Sequence, residues 1–379
     1  MTSRIFHISL VVGARPNFMK VAPIVHALNA RREVARAAGL ILRVSIVHTG
    51  QHYDPNMSDV FFRDLGIPAP DRHLEVGSGS HAEQTAKVMV AFEKVLLEEP
   101  PDLVVVVGDV NSTVACSLTA KKLGIRVAHV EAGLRSFDMT MPEEINRKLT
   151  DTISDLLFVT EESGMRNLRA EGVPEERIHL VGNVMIDTLL RNMARVGGRE
   201  FVPSEPVRAF CGTGRRYAVL TLHRPSNVDR KETLAPVWGA ISEIARDVPV
   251  LFPVHPRTRG KIAAFGLDGA GVTMIDPVGY LDMLYSVKGA ALVLTDSGGL
   301  QEETTALGVP CVTIRENTER PSTVEVGTNY LAGTRPEAIL SAAREILSGN
   351  GKKGIVPPLW DGHAAERIVD VLLRPGGAE

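Results

Sequence analysis

Two Rossmann-like, doubly wound parallel-sheet α/β domains facing one cleft are the fold this sequence predicts, and three observations carry the prediction. At 379 residues, 44% of them hydrophobic, the chain is too long for one ordinary core and apolar enough to fill two. Short β-branched runs alternate with helical stretches, the pattern of parallel strands buried under helices on both faces. The alternation lapses through the Gly/Pro/Arg-rich stretch Asn192 to Gly214, where a domain boundary is expected. Residues 1–195 and 196–362 are therefore expected to form the two domains, with the terminal helix within 363–379 packing back on the first.

In chain order, the first domain should place strands at Ile5 to Val12, Leu42 to Val47, Leu103 to Val107, Val127 to Val130, Leu156 to Val159 and Ile178 to Val181. Pro16 and Pro142 suit the first turns of helices, because a proline there gives up an N–H that would be unpaired anyway. A second set of strands follows at Tyr217 to Leu222, Val250 to Val254, Val272 to Ile275, Ala291 to Thr295 and Pro310 to Ile314. After the Gly/Pro-rich stretch Gly351 to Gly362, the closing helix runs from His363 to Leu373.

Composition narrows the function classes. A net charge of −3 supplies no polycationic field, so nucleic acid is not an expected partner, whereas small anionic ligands remain open. Cys116, Cys211 and Cys311 stand singly and no Cys/His spacing supports a metal, so neither a disulfide framework nor a metal site is expected. The opening MTSRIFHISLVV is too short and too polar for a signal peptide, and no apolar run approaches the ~18 residues of a membrane span. A cytoplasmic protein without membrane association is the expectation.

In open parallel sheets, ligands bind beyond the carboxyl ends of the strands. The residues expected there are Arg15, His48, Asp109, Glu131, Thr160 and Asn183 in the first half, then His223, His255, Asp276, Ser297 and Arg315 in the second. Gly13-Ala14-Arg15-Pro16-Asn17 lacks the spaced glycines of a dinucleotide turn, which disfavours a nicotinamide cofactor. Asp296-Ser297-Gly298-Gly299 starts a helix whose unobstructed N–H groups and positive end suit a diphosphate, with Arg320 placed to close over it; the alternative is a tight turn with Ser297 as its cap. Arg15 and Lys20 either meet phosphate or are solvated cations. Asp109 and Glu131 should leave neighbouring strand ends, and Glu143 and Glu144 follow Pro142. Carboxylates crowded together split their protonation states, which suits proton transfer. The bland alternative has Asp109 capping the helix near Asn111, with Glu143 and Glu144 favouring their own helix start. His223 and His255 can donate to phosphate or shuttle a proton.

Taken together, GARPNFMK at Gly13 to Lys20, HTGQHYD at His48 to Asp54, Gly108-Asp109, HVEAGLR at His129 to Arg135 and PEEINR at Pro142 to Arg147 resemble the non-hydrolysing UDP-N-acetylglucosamine 2-epimerases. The second half adds TLHRPSN around His223, PVHPR around His255, IDPVGY at Ile275 to Tyr280, TDSGGLQEE at Thr295 to Glu303 and TERP at Thr318 to Pro321. The resemblance spans almost the whole chain and implies the glycosyltransferase-B architecture, a homodimer, no cofactor and a UDP-sugar substrate. It further implies that Asp109, Glu131 and Glu143 form the acid–base set and that His223 stabilises departing UDP. Arg15, His223, Ser297, Gly298, Gly299 and Arg320 would hold the diphosphate, Glu303 the ribose, and the Asp276 to Tyr280 loop the uracil; Lys20, Arg135 and His255 complete the substrate-binding set. Gln51 and His52 match a segment that binds an activating second substrate molecule in some bacterial members. Ala14 and Asn17 stand where the family pattern has Thr and Glu, so a contact to Arg15 is expected to be lost, and Pro225 replaces a charged residue. Three alternatives stay open: a 2-epimerase of a related UDP-diacetamido-uronate, a hydrolysing 2-epimerase, and a glycosyltransferase of the same architecture.

Overall fold

The computed structural model describes residues 4–50 and 65–374. The chain divides into two compact units, Met1–Thr188 with Pro358–Glu379, and Leu189–Pro357. In the first, strands β1 (Arg4–Val12), β2 (Leu40–His48), β3 (Arg72–His73), β4 (Leu103–Val107), β5 (Arg126–Ala132), β6 (Leu156–Val159) and β7 (Ile178–Leu180) form one sheet. It is parallel throughout, in the order β3-β2-β1-β4-β5-β6-β7. The order reverses between β1 and β4, so the turns after these strands flank the switch point where such sheets bind ligands. Every residue of β4 is buried, because helices cover both faces: Val105 and Val107 join Phe18, Val21 and Ile24 on one side, and Val104 and Val106 join Val88 and Phe92 on the other.

The second unit repeats the plan with β8 (Ala218–Thr221), β9 (Val250–Pro253), β10 (Val272–Ile275), β11 (Leu292–Thr295), β12 (Cys311–Thr313) and β13 (Asn329–Leu331). Their order is β10-β9-β8-β11-β12-β13, again all parallel. Trp238, Ile241 and Ile244 of the helix Lys231–Asp247 pack on Leu220, Phe252 and Leu294 of this sheet. Two doubly wound sheets are thus present as predicted. Strands β3 and β13 were not foreseen: neither Arg72–His73 nor Asn329–Leu331 lies in a run of β-branched apolar residues, as the similarly short β7 and β12 do. Glu131, expected just past its strand, lies within β5 because a bulge between Val130 and Ala132 adds a residue to the ladder. No helix among the described residues is long and apolar enough to cross a membrane.

The closing helix, Ala364–Leu372, buries Ala365, Ile368, Val369 and Leu372 in the core of the first unit. Its own N-cap residue, His363, offers no side-chain cap. The cap comes from Asp187 instead, whose carboxylate accepts the Ala364 N–H at 3.1 Å and the Ala365 N–H at 2.7 Å. Burial pushes the Asp187 carboxyl above its usual range. Asp187→Ala should lower stability by about 1–3 kcal/mol, because two buried amides lose their acceptor. Asp187→Asn, which keeps an acceptor, should cost less; thermal midpoints of the two variants check the order.

Candidate active site

The turn after β1 is built by Asn17. Its side-chain oxygen accepts the Ala14 N–H at 2.8 Å and lies 3.3 Å from the Gly13 N–H donor, while its amide donates to the Val107 carbonyl at 2.9 Å. The residue that departs from the family pattern therefore ties the β1 turn to the end of β4, a job its short amide performs with both ends at once. One helical turn further, Lys20 is buried rather than solvated, and its ammonium pairs with Glu131. Glu131 sits at φ +76° inside the bulge, a left-handed conformation that costs a side-chain-bearing residue on the order of 1–3 kcal/mol. Gly108 permits the pairing, since a Cβ there would stand 2.8 Å from the Lys20 ammonium. At the end of β2, burial drives the His48 imidazole down to about 4.

Asp109 follows β4, beside β5, whose Val130 pairs with Val107. It does not cap the next helix: the N-cap position is Val110, and no side chain caps there. Asp109 instead receives Arg147 Nη2 at 2.5 Å, and Asn146 donates to its backbone carbonyl at 2.9 Å. Both partners come from the helix Pro142–Ile153. Glu144 in the first turn of that helix is fully engaged, accepting from the Ser136 N–H and hydroxyl, the Phe137 N–H and Arg147. Its neighbour Glu143 is half-buried and has no hydrogen-bonding partner among the described residues.

Arg135, expected near the substrate, is buried with its guanidinium committed elsewhere. It donates to Asp151 at 2.7 Å and through two nitrogens to Glu171 at 2.9 and 2.7 Å. Although burial opposes its charge, the bonds to Glu171 and Asp151 hold it above its ordinary value. Asp151 also faces His129 Nδ1 at 2.6 Å and accepts the Gly133 N–H; burial works against its ionisation, but His129 and Arg135 prevail and hold it low. His129 Nε2 reaches the Gly108 carbonyl at 2.8 Å. This network fixes the backbone before Asp109 and on either side of Glu131 and was not visible in the sequence, because its side chains are spread over 43 positions, from His129 to Glu171.

In the second unit, β8 and β11 end side by side, bringing His223 next to Asp296. His223 Nδ1 lies 2.9 Å from Asp296 Oδ1, with the imidazole more than half exposed and the carboxylate fully buried. Asp296 also accepts the Arg224 N–H at 2.9 Å and the Asn227 amide at 3.2 Å. Despite its burial it is held below the usual carboxylate range, His223 being the strongest of the opposing causes. Asp296 thus orients the imidazole, and its position immediately after β11 was the signal that could have marked it.

Ser297 takes the N-cap position of the helix Gly298–Leu307 without a side-chain cap. Its N–H, expected to be unobstructed, donates to Thr295 Oγ1 at 2.9 Å because that hydroxyl is held over the turn by Thr221. Arg320 is buried and lies over Gly298, where a Cβ would come within 2.8 Å of Nη1; it pairs with Glu302 at 2.8 Å and with Glu319. Glu303 accepts the Tyr280 hydroxyl at 2.8 Å, and burial raises its carboxyl to about 7. His255 and Asp276 are exposed: His255 Nδ1 accepts the Arg257 N–H, and Asp276 pairs with Arg259 at 3.0 Å. Gln51 and His52 lie outside the described residues. Arg15 begins the helix Arg15–Ala37. No group of three or more His, Cys, Asp or Glu side chains among the described residues could hold a metal ion.

A family model described as UDP-N-acetylglucosamine 2-epimerase matches residues 33–373. The chain belongs to this family. The UDP-N-acetylglucosamine 2-epimerase of Methanocaldococcus jannaschii is 45% identical over 375 residues, covering 96% of this chain and 98% of its own. The UDP-2,3-diacetamido-2,3-dideoxy-D-glucuronate 2-epimerase of Pseudomonas aeruginosa is 41% identical over 96% of this chain and 98% of its own. The crystal structure of the M. jannaschii enzyme in complex with UDP-GlcNAc and UDP matches with a TM-score of 0.85, over 97% of this chain and 99% of that one. The Neisseria meningitidis enzyme bound to UDP-GlcNAc, 29% identical, matches with a TM-score of 0.87 over 98% and 100%.

Glu303 generates a test. Its folded pKa, about 7, exceeds the ordinary value of 4.5, so its contribution to stability is fully present below pH 4.5 and is lost as pH rises toward and through 7. Glu303→Gln can still accept the Tyr280 hydroxyl but never becomes an anion. Its unfolding free energy should match wild type near pH 4 and exceed it near pH 8 by on the order of 3 kcal/mol. An offset independent of pH would contradict this.

Proposed function

We propose that this protein inverts C2 of UDP-N-acetylglucosamine, interconverting it with UDP-N-acetylmannosamine. The observation that carries the reading is the pair of carboxylates at the ends of adjacent strands, Asp109 and Glu131, each held beside its own cation in a chain of this family. The C2 hydrogen of the sugar is not flanked by a carbonyl, so simple deprotonation is very costly. Departure of UDP removes that difficulty. As the C1–O bond breaks, its electron pair leaves with UDP, C1 becomes oxocarbenium-like and C2–H becomes acidic. The base takes the proton, the C2–H pair forms the C1–C2 double bond, and the halfway products are UDP and 2-acetamidoglucal. A proton then reaches C2 from the opposite face and a UDP oxygen rejoins C1, which leaves the reaction redox-neutral.

In this reading Asp109 is the group nearest C2, while Glu131 and Glu143 position the sugar and handle the second proton. His223, oriented by Asp296, stabilises the departing UDP. The Gly298 and Gly299 amides with Ser297, Arg15 and Arg320 hold the diphosphate, Glu303 the ribose hydroxyls, and the Asp276 to Tyr280 segment the uracil. The protein acts as a cytoplasmic homodimer that supplies sugar nucleotide for cell-surface polysaccharide. A second reading, epimerisation of a UDP-diacetamido-uronate, is favoured by the name of the P. aeruginosa relative.

Proton NMR with UDP-N-acetylglucosamine in D2O tests the reading. UDP-N-acetylmannosamine with deuterium at C2 is expected; free N-acetylmannosamine would mean hydrolysis, and unchanged substrate would favour the uronate. Asp109→Asn should slow C2 exchange by about 100-fold or more. Retained exchange in that variant, with loss in Glu131→Gln, would reverse the assigned roles.

A further inference from the structure

Resting on that reading, we propose that Arg147 is a positioning residue of the reaction: it holds the Asp109 carboxylate in place by bridging it to Glu144. Arg147 is only 2% exposed, on the inward face of the helix Pro142–Ile153 together with Asn146 and Thr150. Its guanidinium forks, one nitrogen to Asp109 Oδ2 at 2.5 Å and the other to Glu144 Oε2 at 2.7 Å. Asn146, the preceding residue, donates to the Asp109 backbone carbonyl. Two consecutive helical residues thus hold Asp109 at its main chain and at its carboxylate.

The far side of the bridge is equally anchored. Glu144 accepts from Ser136 and Phe137, so it cannot follow Arg147 if the guanidinium moves. Glu143 occupies the same first helical turn, which makes one rigid element carry one member of the acid–base set and fix another. A planar guanidinium spans two carboxylates with separate N–H groups, whereas an ammonium is a point charge that cannot reproduce both directions. Removing the cation takes away the guanidinium that offsets the like charges of Asp109 and Glu144.

The test compares wild type, Arg147→Met and Arg147→Lys. It measures kcat and KM for UDP-N-acetylglucosamine, C2 exchange in D2O, UDP affinity and thermal midpoint, with and without millimolar guanidinium chloride. In Arg147→Met, kcat and C2 exchange should fall about 100-fold while KM and UDP affinity stay within about threefold. Guanidinium should restore part of the loss, and Arg147→Lys should fall between the two. The proposal is overturned if kcat survives, if only KM rises, or if neither guanidinium nor lysine recovers any activity in a folded variant. Should Arg147→Met fail to fold, Arg147→Lys decides: kcat lowered about tenfold at unchanged KM supports the bridge, and full activity or a rise in KM alone overturns it. Wild type that shows no C2 exchange overturns the functional reading itself, so the two failures are distinguishable.

Discussion

A carboxylate withdrawn from water persists as an anion only with a cation or several N–H donors beside it, and that constraint shapes both units. Taking a charge out of water costs several kcal/mol, and breaking a buried pair by deleting one partner costs about 3–5 kcal/mol. Glu131 is accordingly matched to Lys20, Asp109 to Arg147, Asp151 to His129 and Arg135, and Asp296 to His223. Arg320 is shared by Glu302 and Glu319. Glu303 marks the limit of the rule. With a tyrosine hydroxyl and the neighbouring Glu302 around it, it responds by holding its proton up to about 7.

These pairings also explain where backbone strain is tolerated. Glu131 is held at positive φ by a bulge in its strand and by an ion pair that needs its side chain pointing at Lys20. Strain of this kind survives only when its surroundings over-determine it, and it gathers at functional positions. The fixed partners of Asp109, Glu131 and His223 are then part of the proposed chemistry, since a proton donor or acceptor works only when its orientation is set before the substrate arrives. Asn17 belongs to the same scaffold, which is how a departure from the family pattern is accommodated without leaving the β1 turn unpaired.

The fold was legible wherever strands were long and apolar. Leu103 to Val107 and Leu156 to Val159 were read to the residue, because strands covered on both faces are continuous hydrophobic runs. Strands β3 and β13 were not, because Arg72–His73 and Asn329–Leu331 make their ladder bonds without an apolar run to mark them. At the candidate site, the residue types at the strand ends were legible but their partners were not. Lys20 and Glu131 are 111 positions apart and His223 and Asp296 are 73 apart, distances at which a single sequence carries no pairing signal.

Alone, the sequence determined the two-sheet architecture, the acidic and basic repertoire at the strand ends and the family resemblance, since periodicity and short motifs are local properties of the chain. Only the tertiary structure decided which charges meet. It turned Lys20 from a possible solvated cation into a buried counter-ion, withdrew Arg135 into the support of the β5 turn, gave Asp296 its hold on His223, and joined Arg147 to Asp109. The physical reason is that electrostatic partners are selected by burial and by the register of neighbouring strands, and both exist only once the sheet has formed.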